Sequence, residues 1–218
     1  MPKTGPFDSH AAKYEAWFQR NRFAYQSELE AIRPLLPGHG DGLEIGVGSG
    51  RFAAPLGIKN GVEPSEAMGA LARQRGINVT NSVAEALAFE DSRFDFALMV
   101  TTICFVDDPG LAIKEAYRVL KPGGALIIGL IDKDSPLGVV YQAHKNESVF
   151  YGPATFYSAD EVVAFLKDAG FTDFRFVQTL FTNPADLKSL EPAREGRGEG
   201  SFVVVKALKP AGAGAGER

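Results

Sequence analysis

Residues 44–51, Glu-Ile-Gly-Val-Gly-Ser-Gly-Arg, place three glycines two apart directly after a short apolar run. Glycine lets a backbone approach a ligand closely, and a helix starting after the loop aims its free N–H groups at that ligand. The Gly-x-Gly-x-Gly string alone says little, because the chain carries it four times, starting at Gly38, Gly46, Gly196 and Gly212. Only Gly46, Gly48 and Gly50 have a strand-like run before them and a helix candidate after them, which is the context of a nucleotide loop. Glu44 precedes this loop by two residues, and Glu63 closes the next apolar run 17 residues after Gly46. That separation is near the one expected of a carboxylate that takes ribose hydroxyls. At position 51, where a dinucleotide loop wants glycine or alanine, stands Arg51, which argues against a pyrophosphate ligand.

Few other groups suit chemistry. His144 is the one base titrating near neutrality in the stretch after residue 132, and could take a proton from an attacking hydroxyl or amine. His10, His39 and His144 are too scattered for a metal set, and the single Cys104 excludes multi-cysteine metal or redox arrangements, so no metal is expected. Cys104 itself reads as a small buried hydrophobe.

The elements that would hold these groups follow from periodicity and punctuation. Residues 14–36 look helical, and 42–47, 58–63, 77–81 and 94–103 look like strands, with a helix from 65 to 75. Asp108-Pro109 opens a helix as N-cap and first residue, and Lys121-Pro-Gly-Gly124 turns it into a strand over 125–132. Ser158-Ala-Asp-Glu161 is a capping box, and Gly170 closes its helix. Two late strands, 174–180 and 201–207, flank a polar, glycine-rich and flexible connection, which suggests an antiparallel hairpin at one edge. Residues 209–218 have nothing to bury and are expected to be disordered. The alternation gives an α/β, Rossmann-like, doubly wound and mostly parallel sheet with helices on both faces, in one domain over residues 1–208.

Composition narrows the function. The net charge of −4 and the lack of a basic run exclude the usual nucleic-acid footprint. No apolar stretch reaches the ~20 residues of a membrane span, and the first ten residues lack a signal core. The expectation is a soluble, cytoplasmic, single-domain protein, monomer or homodimer. Glycine is in excess, 24 of 218 residues against a usual ~7%.

Three motifs in order, Glu44-Ile-Gly-Val-Gly-Ser-Gly50, Glu63-Pro64-Ser65 and Glu115-Ala-Tyr-Arg-Val-Leu-Lys-Pro-Gly-Gly124, resemble class I S-adenosylmethionine-dependent methyltransferases. The resemblance is to the ubiquinone/menaquinone-biosynthesis-like (methyltransferase domain 11) branch and covers roughly residues 7–207. It implies a seven-stranded sheet with an antiparallel last strand, S-adenosylmethionine as cofactor and S-adenosylhomocysteine as product. Gly46, Gly48 and Gly50, with Glu44 beside them, would line the methionine moiety, and Glu63, followed by Pro64, would take both ribose hydroxyls. Val83 stands where the family commonly has an acid, so adenine would rest on backbone groups near Val83 and Ala84 and on apolar packing. The Asp/Asn-Pro-Pro-Tyr motif of amine methylation on nucleic acids is absent.

Residues 7–36 resemble the family's lid, with Tyr14 reaching the cofactor and Trp17 and Phe18 on the same helical face towards substrate. Thr101 and Thr102, after the fourth strand, should face the cofactor. The insertion 133–157, with Asp132 at its start, would supply substrate contacts through Tyr141 and Tyr151, with Asp132 holding a cation. Only residues 51–59 separate the glycine loop from the second strand, so the first helix is a turn or two, leaving the pocket open there or covered by something else. Alternatives to small-molecule methylation are methylation of a protein or peptide, a domain that holds the cofactor without transfer, and a nicotinamide-dependent oxidoreductase.

Overall fold

The computed structural model describes residues 3–212. In chain order its elements are α1 (Gly5–Arg20), α2 (Arg22–Ile32), β1 (Gly42–Ile45), α3 (Ala53–Leu56), β2 (Asn60–Val62), α4 (Glu66–Gln74), β3 (Asn78–Thr80), β4 (Phe94–Val100) and α5 (Pro109–Val119). There follow β5 (Leu120–Ile131), α6 (Pro136–Ala143), α7 (Ala159–Asp168), β6 (Thr172–Thr179), β7 (Arg194–Glu195) and β8 (Phe202–Leu208). One sheet takes all eight strands in the order β3-β2-β1-β4-β5-β8-β6-β7.

Strands β1 to β5 pair in parallel, and β8 runs antiparallel to both β5 and β6. The sheet therefore has one strand more than the seven expected, the two-residue β7 on the β6 edge. The two late strands do pair with each other, but β8 lies inside the sheet and not at its edge. Its run Phe202–Val205 is wholly buried, as a central strand covered on both faces requires. Alternate residues feed two cores. Leu126, Ile128, Val203 and Val205 pack under α5 and α7, whereas Ala125, Ile127, Phe202 and Val204 pack under α2 and α6.

Several boundaries moved. The first helix begins at Gly5 and breaks at Asn21, whose side chain and backbone N–H both donate to Trp17 O and so end α1 before α2 starts. Strand β4 stops at Val100 because Thr101 adopts φ +47°. Pairing of β5 starts at Leu120, with a register shift between Phe94 and Phe96 that absorbs Lys121–Gly124. Asp108 and Ser158 cap α5 and α7, and the Ser158–Glu161 capping box is formed in both directions.

The connection between β6 and β8 is tied down rather than flexible. Glu191 N donates to Ser27 Oγ at 2.9 Å, Phe181 N to Glu191 Oε2 at 2.6 Å, and Glu199 N and Gly200 N both donate to Gln178 Oε1. Lys209, placed in the expected tail, is anchored too, its Nζ donating to Tyr117 O and Leu120 O. Residues 213–218 lie outside the described residues. None of the described helices is long and apolar enough to cross a membrane.

Helix α6 starts against the turn 132–135. Gly138 N donates to Ser135 Oγ, and a Cβ on Gly138 would stand 2.0 Å from Asp132 O. Gly138→Ala is expected to lower stability by about 1–3 kcal/mol, because the obstacle is backbone. The urea midpoint should fall at unchanged slope. An unshifted midpoint would mean that the turn yields freely.

Candidate active site

Strand order reverses direction between β1 and β4, so a crevice opens at their carboxyl ends, the place where open α/β sheets bind ligands. Gly46 closes β1 with φ +71°, and a Cβ there would stand 2.3 Å from Thr102 Cγ2. Only glycine permits this approach of the two loops. Thr102 Oγ1 lies 3.0 Å from Val100 O and 3.3 Å from Gly46 O, tying the loops together.

Glu63 reaches across from the end of β2. Its Oε2 accepts from Gly48 N at 2.8 Å and its Oε1 from Ser65 N at 2.9 Å, so one carboxylate fixes both the glycine loop and the start of α4. Burial nonetheless raises its pKa, against those two bonds. A first cavity lies here, of about 110 Å³. Gly46, Gly48, Glu63, Pro64, Val83 and Ala84 line it, as do Tyr14, Thr101 and Thr102.

Two residues expected in this cavity stand behind it. Glu44 is buried, its carboxyl takes the N–H of Ala53 at the start of α3, and among the described residues its Oε2 has no partner. Burial, with Glu63 nearby, holds its pKa well above the ordinary value. Gly50 faces α4 instead, where a Cβ would meet Ala72 Cα at 3.2 Å. It is a packing glycine with φ +82°.

The short α3 leaves a gap that α1 fills. Glu15 accepts from Ser49 Oγ, Arg51 and Arg75 together, and Asp8 accepts from Ser65 Oγ. The three donors hold the Glu15 carboxyl below its ordinary range despite partial burial. This latch brings Tyr14 over the glycine loop, where a Cβ on Gly48 would come within 3.3 Å of its Oη. Enclosure, with Glu63 and Glu44 close by, raises the Tyr14 pKa, so the phenol stays neutral at ordinary pH.

A second cavity of about 240 Å³ lies on the other side of Tyr14. Phe7, Tyr14, Thr101 and Phe105 line both cavities. The second is walled by Trp17 and Phe18 from α1, Phe52, Tyr141 from α6, and Phe150 and Tyr151 from the insertion. The rings support one another, with Tyr141 and Tyr151 centroids 4.9 Å apart and Phe7 and Phe105 5.0 Å apart, edge to face. Burial pushes the Tyr141 hydroxyl up to about 12, and the Tyr151 hydroxyl rises for the same first reason.

Two substrate-side residues are not brought here. His144 ends α6 with its side chain 63% exposed, Nδ1 3.2 Å from Glu147 Oε1, and lines neither cavity. Asp132 staples a turn, its Oδ1 accepting from Asp134 N and its Oδ2 from Ala159 N. Cys104 is buried, with its thiol pushed up to about 12 by burial.

Sequence reasoning missed Glu28. It lies on the buried face of α2 with Ala24, Ala31 and Ile32, and lines the second cavity. An acid in the apolar stripe of an amphipathic helix was the available signal. Burial alone pushes its carboxyl up to about 8.

Known relatives join this geometry to a family. The methyltransferase-domain profile matches residues 43–128. A crystal structure from Thermotoga maritima, described as a "SAM-dependent methyltransferase, possible histamine N-methyltransferase", superposes with a TM-score of 0.93 at 54% identity, covering 94% of this chain and 99% of that one. The chain belongs to the class I S-adenosylmethionine-dependent methyltransferases. The uncharacterised protein MJ1123 of Methanocaldococcus jannaschii is 46% identical to this methyltransferase over 203 residues, 93% of this chain and 98% of that one. The 27-O-demethylrifamycin SV methyltransferase of Amycolatopsis mediterranei is 30% identical over 142 residues, 59% of this chain and 52% of its own.

The first cavity suits the family's cofactor. Gly48 leaves room beneath Tyr14, and each Glu63 oxygen, having accepted one N–H, retains a lone pair for a hydroxyl.

Glu28 also gives this methyltransferase a pH signature. Its carboxyl titrates near 8 when folded and near 4.5 when free, so the unfolded chain loses the proton first and stability falls as pH rises between those values. The penalty at pH 7 is on the order of 3 kcal/mol. Glu28→Gln should therefore raise the unfolding midpoint near pH 8 more than near pH 5. An equal effect at both pH values would show that the group does not ionise in this window.

Proposed function

We propose that this methyltransferase moves the methyl group of S-adenosylmethionine to an O, N, C or S atom of a small molecule held in the second cavity. The observation that carries the reading is the wall the two cavities share, Phe7, Tyr14, Thr101 and Phe105. Donor and acceptor chambers that meet at one wall are what transfer between two bound molecules needs.

In this reading the backbone of Gly46 and Gly48 and the Thr102 side chain border the methionine end, and Glu63 holds the ribose hydroxyls. Backbone groups at Val83 and Ala84 enclose the adenine end, and Pro64 lies beside Glu63. When bound, the cofactor supplies an activated methyl on a sulfonium centre. The chain's own part is alignment and exclusion of water. Tyr14 and Thr101 stand between the chambers, and the rings of Trp17, Phe18, Tyr141 and Tyr151 keep the acceptor dry. His144 and Asp132 take no part, since one is solvent-facing and the other holds a turn. The relatives named as a 27-O-demethylrifamycin SV methyltransferase and as a "possible histamine N-methyltransferase" lend support to a small acceptor.

Calorimetric titration tests the cofactor half. S-adenosylhomocysteine should bind and NAD should not. Glu63→Ala should weaken S-adenosylhomocysteine by about 2–4 kcal/mol, two charged hydrogen bonds being lost. Unchanged affinity in that variant would remove Glu63 from the ribose. Binding of NAD alone would overturn the assignment. Mass spectrometry of a metabolite extract incubated with methyl-labelled cofactor then reads the acceptor.

A further inference from the structure

The second cavity contains a carboxylate with nothing to hold it. Glu28 is 5% exposed, and among the described residues no side chain or backbone group donates to its oxygens or pairs with its charge. The other enclosed acids of the site each have a donor, Glu15 from Ser49, Arg51 and Arg75, Glu63 from two backbone N–H groups and Glu44, through one oxygen, from the N–H of Ala53. Lys13 and Arg20 line the same cavity but are exposed, at its mouth. Exposed cations are screened by water and weigh little against a buried charge.

What surrounds Glu28 is aromatic. Tyr14, Trp17, Phe18, Tyr141, Phe150 and Tyr151 come from α1, α6 and the insertion to line one chamber with it. Ring faces carry a negative quadrupole that attracts a desolvated cation, and a buried carboxylate without a counter-ion favours a ligand that brings one. The two preferences agree in sign. A neutral ligand could offer Glu28 a hydrogen bond but no counter-charge, and an anion would oppose its ionisation and meet the ring faces.

We propose that Glu28 is the specificity-determining residue of the acceptor chamber, pairing with the ammonium group of a small amine whose flat apolar body lies among the rings. The proposal rests on the methyltransferase reading of the two chambers and deepens it by naming the acceptor class. The groups facing Glu28 are the phenols Tyr14, Tyr25, Tyr141 and Tyr151, each of which feels its charge, with Lys13 and Arg20 at the mouth. The phenols stay neutral, so near pH 7 the group that changes charge when an ammonium enters is Glu28. Its carboxyl, mostly protonated beforehand, gives up its proton to solvent as the pair forms.

The test uses the full chain saturated with S-adenosylhomocysteine, titrated calorimetrically with three matched sets. These are the amines phenethylamine and tryptamine, their alcohols 2-phenylethanol and tryptophol, and the acids 3-phenylpropionate and indole-3-propionate. At least one amine should bind about tenfold or more tighter than its alcohol, with the acid weakest. Its heat should vary with the ionisation enthalpy of the buffer, as release of a proton requires. Glu28→Gln should lose about tenfold in amine affinity together with the proton release, while the alcohol and S-adenosylhomocysteine bind as before. Equal binding of amine and alcohol overturns the proposal, as do tighter binding of the acid, no binding of either amine, or unchanged amine affinity in Glu28→Gln. The ranking on the unaltered chain needs no variant to fold. If S-adenosylhomocysteine binds and the amine preference is missing, only the role of Glu28 falls. If S-adenosylhomocysteine itself does not bind, both readings fall.

Discussion

The Glu63 carboxylate is the constraint on which the rest of the site depends. The glycine loop and the start of α4 meet at the crevice between β1 and β4, each bringing a backbone N–H, Gly48 N and Ser65 N, that Glu63 takes. By accepting from Gly48 N and Ser65 N, Glu63 fixes the glycine loop against the start of α4 and puts a negative group where the donors converge. Ser65, held in this way, is free to cap α4 through Met68 N and to receive Asp8 from α1. One side chain thus sets the loop, a helix start and one of the points at which the lid attaches.

The lid answers a deficit created elsewhere. A four-residue α3 cannot cover the first cavity, and α1 does so through Glu15, which gathers Ser49, Arg51 and Arg75. Arg51, an unsuitable residue for a dinucleotide loop, has a structural use here as the lid's counter-ion. Since Tyr14 neighbours Glu15 in α1, latching the lid also places the ring that separates the two chambers. Cover for the cofactor side and a wall for the acceptor side come from the same helix.

Much of this was legible in the sequence wherever the determinant is local. The caps at Asp108 and Ser158 are set within three residues and stand where the sequence put them, and the glycine loop and Glu63 follow directly on the short strands β1 and β2. The illegible parts depend on distant packing. That β8 inserts between β5 and β6 is decided by burial on both faces, which a hairpin reading of two consecutive strands cannot detect. His144 and Asp132 have residue types suited to catalysis, yet one caps a helix end in solvent and the other staples a turn, and neither outcome shows in spacing alone. Glu28 was concealed by the opposite error. Helical periodicity assigns its position to the core, where an acid reads as noise, yet Glu28 opens onto a cavity while Ala24, Ala31 and Ile32 of the same face are packed.

Glu28 and Glu44 show why a buried acid need not mean the same thing twice. Both are enclosed, and burial raises the pKa of each. Glu44 sits behind the glycine loop, takes the N–H of Ala53 and starts a helix, so its polar group has work within the fold. Glu28 has no such bond and faces a chamber lined with rings. A solitary carboxylate there weakens the folded state wherever it ionises, and an apolar residue of similar size would suit α2 better. Fold stability therefore gives no reason for an acid at that position. The reason has to come from a molecule that enters the chamber and supplies the missing positive charge, and its reach to the cofactor side is set by the wall at Tyr14 and Thr101.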